Sequence, residues 1–273
     1  MKRTLLLALA ALAAGCGGGT KIPAGSNPPS GYQLVWHDEF NEGTALSAEW
    51  THEVKPDHWV NNELQNYVDA VAPDGQRVTE IKDGALEIHC LKGADGKIYS
   101  GRVYGHRNTG WLYGFFEARI WLPAGKGTWP AYWMMPVNPE GYRWPRCGEI
   151  DILEELGGVP NDCSSSFHTG DYNHRKNTQK THHMTVDGAE GGWHVYALEW
   201  TEDRLTTYVD GVVQLSVTKA EMGPEHDQWP FHYAFYPIFN LAWGGWGAIN
   251  GVDESVLPAT MKVDWIRVFQ KKN

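Results

Sequence analysis

The chain has 273 residues, 21% of them charged, and its formal net charge at pH 7 is −10. An acidic surface disfavours nucleic acids and sulfated polysaccharides, because both are bound by basic clusters. Fourteen Trp and twelve Tyr suit a neutral glycan instead, since sugar rings stack on aromatic faces, although many of these rings must belong to the core.

Residues 1–15 are predicted to be a bacterial secretion signal. Lys2 and Arg3 precede an apolar run over residues 5–12, which is too short to span a bilayer. Residues 13–16, Ala-Ala-Gly-Cys, resemble a lipobox; the alternative is an ordinary cleaved signal with an incidental cysteine. Acyl chains on Cys16 would anchor an exported lipoprotein at the periplasmic side of a membrane or at the cell surface. Residues 16–30, rich in Gly, Pro and Ser, would form a flexible tether.

Residues 31–273 are predicted to form one domain, and we expect a monomer. Without the signal, 21 basic residues remain against 33 acidic ones, a net charge of −12. The domain has three cysteines, Cys90, Cys147 and Cys163. An odd number leaves at least one thiol free, and a pairing of Cys147 with Cys163 stays open.

The domain reads as short alternating or apolar runs separated by Gly, Pro, Asn and Asp, which is the pattern of an all-β protein. Predicted strands cover residues 33–36, 84–91, 113–122, 193–200, 205–209, 212–215 and 261–269. Asp210-Gly211 is a strong hairpin signal. Only residues 218–222 suggest a turn of helix. The sequence therefore predicts an all-β sandwich with Greek-key connections.

Residues 148–155, Gly-Glu-Ile-Asp-Ile-Leu-Glu-Glu, place four carboxylates among apolar side chains near the middle of the chain. Side chains alternate along a strand, so Glu149 and Asp151 share one face. Glu154 joins that face only if Ile152-Leu153 form a β-bulge, which would turn both apolar side chains towards the core. We therefore predict a bulge there. Glu155 is then outside the row of acids, and we interpret it as a polar residue at the end of the strand.

Neighbouring carboxylates repel one another and disfavour ionisation, so a row of them on one strand face requires an explanation. A solvated strand edge is one interpretation, because charges at an edge prevent aggregation. The apolar partners of these acids indicate a central strand, however. A pair of carboxylates is also what glycoside hydrolysis requires, with about 5–5.5 Å between the two groups in retaining enzymes.

Residues 144–154, Trp-Pro-Arg-Cys-Gly-Glu-Ile-Asp-Ile-Leu-Glu, resemble the catalytic signature of glycoside hydrolase family 16. They match the bulged E-x-D-x-x-E form of laminarinases, whereas bacterial lichenases in the family have the shorter E-x-D-x-E form. Other segments that resemble the family lie at residues 59–67, 113–120, 127–136, 239–245 and 263–269. The resemblance implies a jelly-roll β-sandwich of two curved antiparallel sheets, with a concave cleft that holds several sugar units.

The resemblance also implies an activity, that of a retaining endo-β-glucanase acting on β-1,3-glucan, mixed-linkage β-1,3-1,4-glucan, or both. Agarase activity is an alternative within the family, and a non-catalytic glycan-binding lipoprotein is an alternative outside the enzymes. The choice of linkage depends on loops such as residues 173–192. Carried over by the resemblance, Glu149 is the nucleophile, Glu154 the acid/base, and Asp151 tunes the protonation of both.

Candidate substrate-binding residues are aromatic or polar side chains near this signature. Trp129, Trp133 and Trp144 are candidate sugar platforms, with Trp144 preferred, and a place in the core is the alternative for each. The polar candidates are His168, Asn62 with its neighbour Asn61, Asn240, and an arginine ahead of residue 113, for which Arg107 is preferred over Arg102.

Family members often carry a structural calcium away from the cleft. The resemblance places its ligands at Glu39, Gly84 and Asp264, and oxygen donors from separate segments suit this hard cation. We expect no cofactor in catalysis.

Overall fold

A computed structural model of the chain describes residues 23–272. The predicted secretion signal and Cys16 lie outside these residues. Within them, no helix has both the length and the apolar character needed to cross a membrane.

The described chain consists almost entirely of short strands. They are β1 (Tyr32–Asp38), β2 (Trp50–His52), β3 (Gln65–Tyr67), β4 (Thr79–Lys82), β5 (Ala85–Lys92), β6 (Ile98–Ser100), β7 (Arg102–Gly105), β8 (Gly114–Trp121), β9 (Thr128–Pro136), β10 (Glu149–Glu155), β11 (Asp162–His168), β12 (Lys180–Thr185), β13 (Trp193–Trp200), β14 (Arg204–Val209), β15 (Val212–Thr218), β16 (Phe235–Trp243) and β17 (Ala259–Lys271). Helical structure is limited to α1 (Lys219–Met222) and to 3₁₀ turns at Gly245–Ala248 and Glu254–Val256. The predicted strands and the helical turn are confirmed.

The strands form two sheets. The larger runs in the order β15-β14-β13-β8-β17-β5-β6-β3, with β1 beside β17 and β4 beside β5. The smaller runs in the order β12-β11-β10-β9-β16-β7-β2, so that β10 is an inner strand. All pairs are antiparallel except β3 with β6. This is the predicted jelly-roll sandwich, and the prediction of an inner strand for the row of acids is confirmed.

The main core lies between the two sheets. Leu86 and Ile88 of β5 and Ile150 of β10 are completely buried in it, and they alternate with polar residues that face away. The face of the smaller sheet that is turned away from this core carries the acids of β10 and is called the cleft face below. Hydrophobic burial at the alternate positions therefore fixes which side chains reach the cleft.

The structure corrects one expectation from the sequence and decides a question that the sequence left open. Residues 23–30 are not a free tether, because Arg267 donates hydrogen bonds to the carbonyl oxygen of Ala24 and to Ser26 Oγ, both at 2.8 Å. The packed part of the chain thus begins before residue 31. The open pairing of cysteines is also resolved, since all three thiols of the described domain are buried and free.

Candidate active site

The register of β10 shifts in the middle of the row of acids. Asp151 is opposite Trp133 of β9, whereas Leu153 is opposite Tyr132, so that Ile152 is an extra residue on β10. The register with β11 shifts over the same residues. The side chains of Ile152 and Leu153 are both 0% exposed. The bulge predicted from the parity of the sequence is confirmed, and its two apolar residues both enter the core.

The bulge returns Glu154 to the face that Glu149 and Asp151 occupy. Glu149 and Glu154 are half-buried and line one pocket on the cleft face, whereas Asp151 is 3% exposed and lies below its surface. Gly148 precedes the strand with φ +85°, and a Cβ there would lie 3.0 Å from Pro230. A glycine therefore allows the tight entry that places Glu149 at the start of the strand.

Burial raises the pKa of all three carboxyl groups. For Glu149 the pKa rises to about 8, and the negative charge of Asp151 adds to the effect of burial. Burial raises the pKa of Asp151 well above its usual range, and Glu154 adds to this shift. Burial also raises the pKa of Glu154, and its interaction with Glu149 acts in the same direction. The trio therefore holds at least one proton near neutral pH, as acid catalysis requires.

His168 lies beneath the carboxylates rather than on the cleft surface. Its Cα is paired with that of Glu149 across β10 and β11, and its Nε2 lies 3.2 Å from Asp151 Oδ2. Its side chain is 8% exposed. The ring opposes the effect of burial on Glu149 and Glu154, because its positive form lowers the pKa of both. The geometry gives His168 an electrostatic contact with the acids and no open surface for a sugar.

Two tryptophans of β9 hold polar groups of the cleft. The indole N–H of Trp129 donates to Glu154 Oε1 at 3.0 Å, and that of Trp133 donates to Asn240 Oδ1 at 2.7 Å. Asn240 Nδ2 in turn donates to Tyr67 Oη at 3.2 Å. The two rings share one face of β9 and both line the pocket, where they can serve as sugar platforms and also orient their neighbours.

The pocket around the acids is lined by aromatic and polar residues. Its lining includes Trp59, Asn61, Arg102, Trp129, Trp133, Trp144, Glu149, Glu154, His174, Arg175 and Asn240. Trp59, His174 and Arg175 had not been singled out as candidates from the sequence. The last two belong to the loop that sequence analysis named as a determinant of linkage.

The structure overturns two preferences among the polar candidates. Of the two candidate arginines, Arg102 is the one in the cleft, where its guanidinium lies 5.1 Å from the Trp59 ring and 4.6 Å from the Trp133 ring. Arg107 follows the end of β7 and lines a separate depression with Tyr104. The preference for Arg107 was wrong because β7 includes residue 102 and ends before residue 107. Of the two adjacent asparagines, Asn61 lines the pocket and Asn62 does not.

Trp144 lines the pocket, but its ring already has neighbours. The Arg175 guanidinium lies 4.6 Å from the ring centroid, and the His174 ring lies 4.9 Å from it. Asn173, which is 1% exposed, holds this loop by donating to the carbonyl oxygens of Thr169 and Gly170. A sugar that stacks on Trp144 must therefore share its surface with an ordered loop.

Glu155 is a buried acid and not strand-end polarity. Because of the bulge it points to the core side of β10, where it is 0% exposed and neither carboxylate oxygen has a hydrogen-bond donor among the described residues. Burial raises its pKa to about 9, and the neighbouring carboxylate of Glu190 adds to the shift. Glu155 is therefore protonated at neutral pH, when it can donate its proton towards Glu190.

The residues predicted to bind calcium have other partners. Both oxygens of Glu39 accept from Arg267, at 2.8 and 2.7 Å, and Asp264 accepts from Arg119 at 2.6 Å. Gly84 lies in the turn between β4 and β5, with φ +78°. In this arrangement a cation at Glu39 and Asp264 would have to displace two arginine side chains. Calcium binding there stays a prediction.

The sequence of the chain is similar to that of known proteins. The model of glycosyl hydrolases family 16 matches residues 59–267. A β-glucanase from Rhodothermus marinus is 37% identical over 248 residues, which cover 88% of this chain and 85% of that protein.

The fold of the chain is also similar to that of solved structures. A non-specific endo-β-1,3(4)-glucanase superposes with a TM-score of 0.82 at 39% identity, covering 90% of this chain and 94% of the other. A laminarinase from Rhodothermus marinus superposes with a TM-score of 0.81 at 35% identity, covering 89% of this chain and 98% of the other. The residues matched by the family model include the whole of β10 and every residue that lines the pocket. The chain therefore belongs to glycosyl hydrolases family 16.

Proposed function

We propose that this glycoside hydrolase is a retaining endo-β-glucanase that cleaves β-1,3-glucan, mixed-linkage β-1,3-1,4-glucan, or both. The observation that carries the proposal is the position of Glu149 and Glu154 on one face of β10, on either side of a bulge, in a cleft lined by tryptophans. The glucanases named above support it. A variant of the endo-β-1,3(4)-glucanase has been crystallised with a glucan oligosaccharide at its active site.

In the proposed reaction, a carboxylate oxygen of Glu149 attacks the anomeric carbon while Glu154 gives its proton to the glycosidic oxygen. The bond between that oxygen and the anomeric carbon breaks, which leaves a covalent glycosyl-enzyme. Glu154, now ionised, removes a proton from water, and the water oxygen displaces Glu149. Two displacements retain the configuration of the sugar.

The surroundings act differently on the two carboxyl groups. Glu149 must be ionised to attack, and burial opposes this by raising its pKa to about 8. His168 acts against burial and favours the ionised form of Glu149. Glu154 must carry a proton, and burial favours that form. Asp151 lies between them and couples the two titrations, so a proton on one carboxyl group favours ionisation of another.

The cleft suits a neutral chain of sugars. Trp59 is 39% exposed, and Trp129 and Trp133 line the floor, so that sugar rings can stack on aromatic faces at successive positions. Asn61 and Asn240 add amide groups for hydroxyls, and Arg102 adds a fork of donors. An open cleft of this kind admits the middle of a chain, which is what endo-cleavage needs.

The test is to incubate the purified protein with laminarin, barley mixed-linkage glucan, cellulose and agarose, and to size the products. Rapid shortening of laminarin or barley glucan, with the β-anomer appearing first by proton NMR, is the expected result. Shortening of agarose alone would replace the proposal with agarase activity. Binding to a glucan without any shortening would overturn the enzyme assignment in favour of a glycan-binding lipoprotein.

We further propose that the mature protein is a monomeric exported lipoprotein, anchored through acyl chains on Cys16 at the periplasmic side of a membrane or at the cell surface. The sequence of residues 1–16 supports this proposal. A Cys16→Ser variant is expected to leave the membrane fraction while its specific activity is unchanged. If the variant sediments with membranes as the wild type does, lipidation of Cys16 is not the anchor.

A further inference from the structure

A second cluster of titratable side chains lies on the opposite sheet, on the face turned away from the core. Glu80 of β4 is directly opposite Glu87 of β5, and His89 follows Glu87 by two residues on the same face. One donor atom from each of these three side chains can be chosen so that all lie within 4.8 Å of one another. None of the three is used by the proposed reaction.

The donor atoms of the cluster are within ion-pair distance of one another but are too far apart for short hydrogen bonds. His89 Nε2 lies 3.5 Å from Glu80 Oε1 and 3.7 Å from Glu87 Oε2. Both distances exceed the usual range of about 2.7–3.2 Å for an N–H···O hydrogen bond. Ligands of a tetrahedral zinc ion, bonded at about 2.0–2.2 Å, are separated by roughly 3.4 Å. The two nitrogen–oxygen distances are therefore close to the separation of ligands on one metal ion.

The ring of His89 is held in the orientation that a ligand needs. Its Nδ1 lies 2.8 Å from Thr260 Oγ1, and Thr260 is the cross-strand neighbour of His89 on β17. A donated Nδ1–H at this contact leaves the lone pair of Nε2 directed at the two carboxylates. Metal-bound histidines commonly have such a partner on the other nitrogen. Burial, the largest influence, lowers the pKa of His89, which favours the neutral ring that binds metals.

Glu87 supplies a second, independent observation. It is only 5% exposed, and Lys262 Nζ donates to its Oε1 at 2.6 Å. The other oxygen, Oε2, is the one that faces His89. Lys262 thus neutralises one side of a buried carboxylate and leaves the second oxygen directed into the cluster. The nearest cation to Glu80 is Lys82, at 4.0 Å and half exposed, which can move aside.

We propose that Glu80, Glu87 and His89 bind one divalent transition metal ion of the zinc class. One imidazole nitrogen and two carboxylate oxygens are a donor set that zinc accepts, and water would complete the four positions. The three ligands lie on adjacent strands, and the residue that orients His89 lies on the next. The ion therefore joins β4 to β5 on the outer sheet, far in sequence from β10, and stabilises the fold without taking part in hydrolysis.

The test measures zinc binding to the full chain by equilibrium dialysis and by the thermal midpoint with added ZnCl2. The wild type is expected to gain roughly 5–10 °C at a hundredfold excess of zinc over Kd. His89→Ala and Glu80→Gln are expected to bind one zinc fewer per chain and to lose this gain. Thr260→Val, which keeps a β-branched side chain in the strand, is expected to weaken binding about 10–100-fold.

His194→Ala is the matched control. His194 has the same 15% side-chain exposure as His89 and lies 2.7 Å from a single carboxylate, Asp210, without a second acid. The His194→Ala variant should therefore bind as much zinc as the wild type.

Zinc could also bind in the active site, because donor atoms of Glu149, Asp151 and His168 lie within 4.8 Å of one another. Inhibition of hydrolysis by zinc would therefore indicate binding in the active site and not at His89. Inhibition should be equal in wild type and His89→Ala. If wild type and His89→Ala bind equal amounts of zinc and show equal thermal shifts, the cluster is an ion-pair network only and the proposal is wrong. The same conclusion follows if CaCl2 reproduces the wild-type shift and ZnCl2 does not.

Discussion

His168 Nε2 lies 3.2 Å from Asp151 Oδ2, beneath the two acids that line the cleft. Burial raises the pKa of Glu149 and of Glu154, and His168 opposes that rise in both. His168→Gln is therefore expected to move both limbs of the pH profile of kcat/KM to higher pH. Activity at pH 5 should fall by roughly tenfold, while activity at pH 8 is retained. Unchanged limbs would show that His168 only fills space.

Replacing either cleft carboxylate should stop turnover and leave the fold intact. Glu149→Gln and Glu154→Gln are each expected to lose at least about 10³-fold in kcat on laminarin, with unchanged circular dichroism. The two variants should differ on an aryl β-glucoside that has a good leaving group. Such a substrate needs no acid, so Glu154→Gln should still form the glycosyl-enzyme and show a burst. Near-native hydrolysis by either variant would refute the assignment of roles.

The hydrogen bond from Trp129 to Glu154 should tune the acid/base. The indole N–H favours the ionised carboxylate, so Trp129→Phe is expected to raise the pKa of Glu154 and to move the alkaline limb to higher pH. A loss of about 10–100-fold in kcat is expected from a hydrogen bond to a charged group. Trp133→Phe is the matched control, because its N–H donates to Asn240 instead and its loss should act on KM.

Arg102 and Arg107 make a matched pair for the cleft. Arg102→Met is expected to raise KM for laminarin roughly fivefold, the effect of losing one ordinary hydrogen bond to substrate. Arg107→Met should leave KM and kcat unchanged, because Arg107 lies outside the pocket. Arg102 Nε also donates to Glu53 Oε2 at 2.7 Å, so thermal unfolding of both variants must be measured alongside kinetics. An equal effect of the two changes would contradict the placement of Arg102.

Glu155 should make the wild type less stable as the pH rises. Its pKa is about 9 in the folded chain and near 4.5 when unfolded. The folded state therefore holds a proton that the unfolded state has lost over this range, and the free energy of unfolding falls from pH 5 to pH 9. Glu155→Gln, which cannot ionise, should be more stable than wild type by about 1–3 kcal/mol at pH 9 and by little at pH 5. Urea unfolding at both values provides the measurement.

Much of the fold was accessible from the sequence because local patterns decide it. Alternation along β5, β8 and β13 separates core from surface, and Asp210-Gly211 forces the turn between β14 and β15, with φ +48° and +79°. The bulge followed from parity alone, because only an extra residue puts Glu149 and Glu154 on one face and Ile152 and Leu153 in the core. The same parity also turns Glu155 inward, a consequence that sequence analysis did not draw.

What sequence could not provide are contacts between segments that are far apart in the chain. Arg175 covers part of Trp144, which lies 31 residues earlier in the chain. Arg102 packs against Trp59 and Trp133, and these three residues come from three separate segments of the chain. The partners of Glu39 and Asp264 were likewise invisible, since Arg267 and Arg119 lie on β17 and β8. Periodicity assigns a face to each side chain. It does not identify the neighbour across that face.

The bulge at Ile152-Leu153 also bears on how this active site tolerates insertions and deletions. In a regular strand, acids at positions 1, 3 and 5 already share a face, and the bulge adds one residue without changing that sharing. Gain or loss of a single codon at this point therefore leaves every catalytic side chain on the cleft face, whereas elsewhere in β10 it would invert all that follow. The bulged and shorter forms of the signature are thus one mutational step apart, and the added residue contributes an extra apolar side chain to the core.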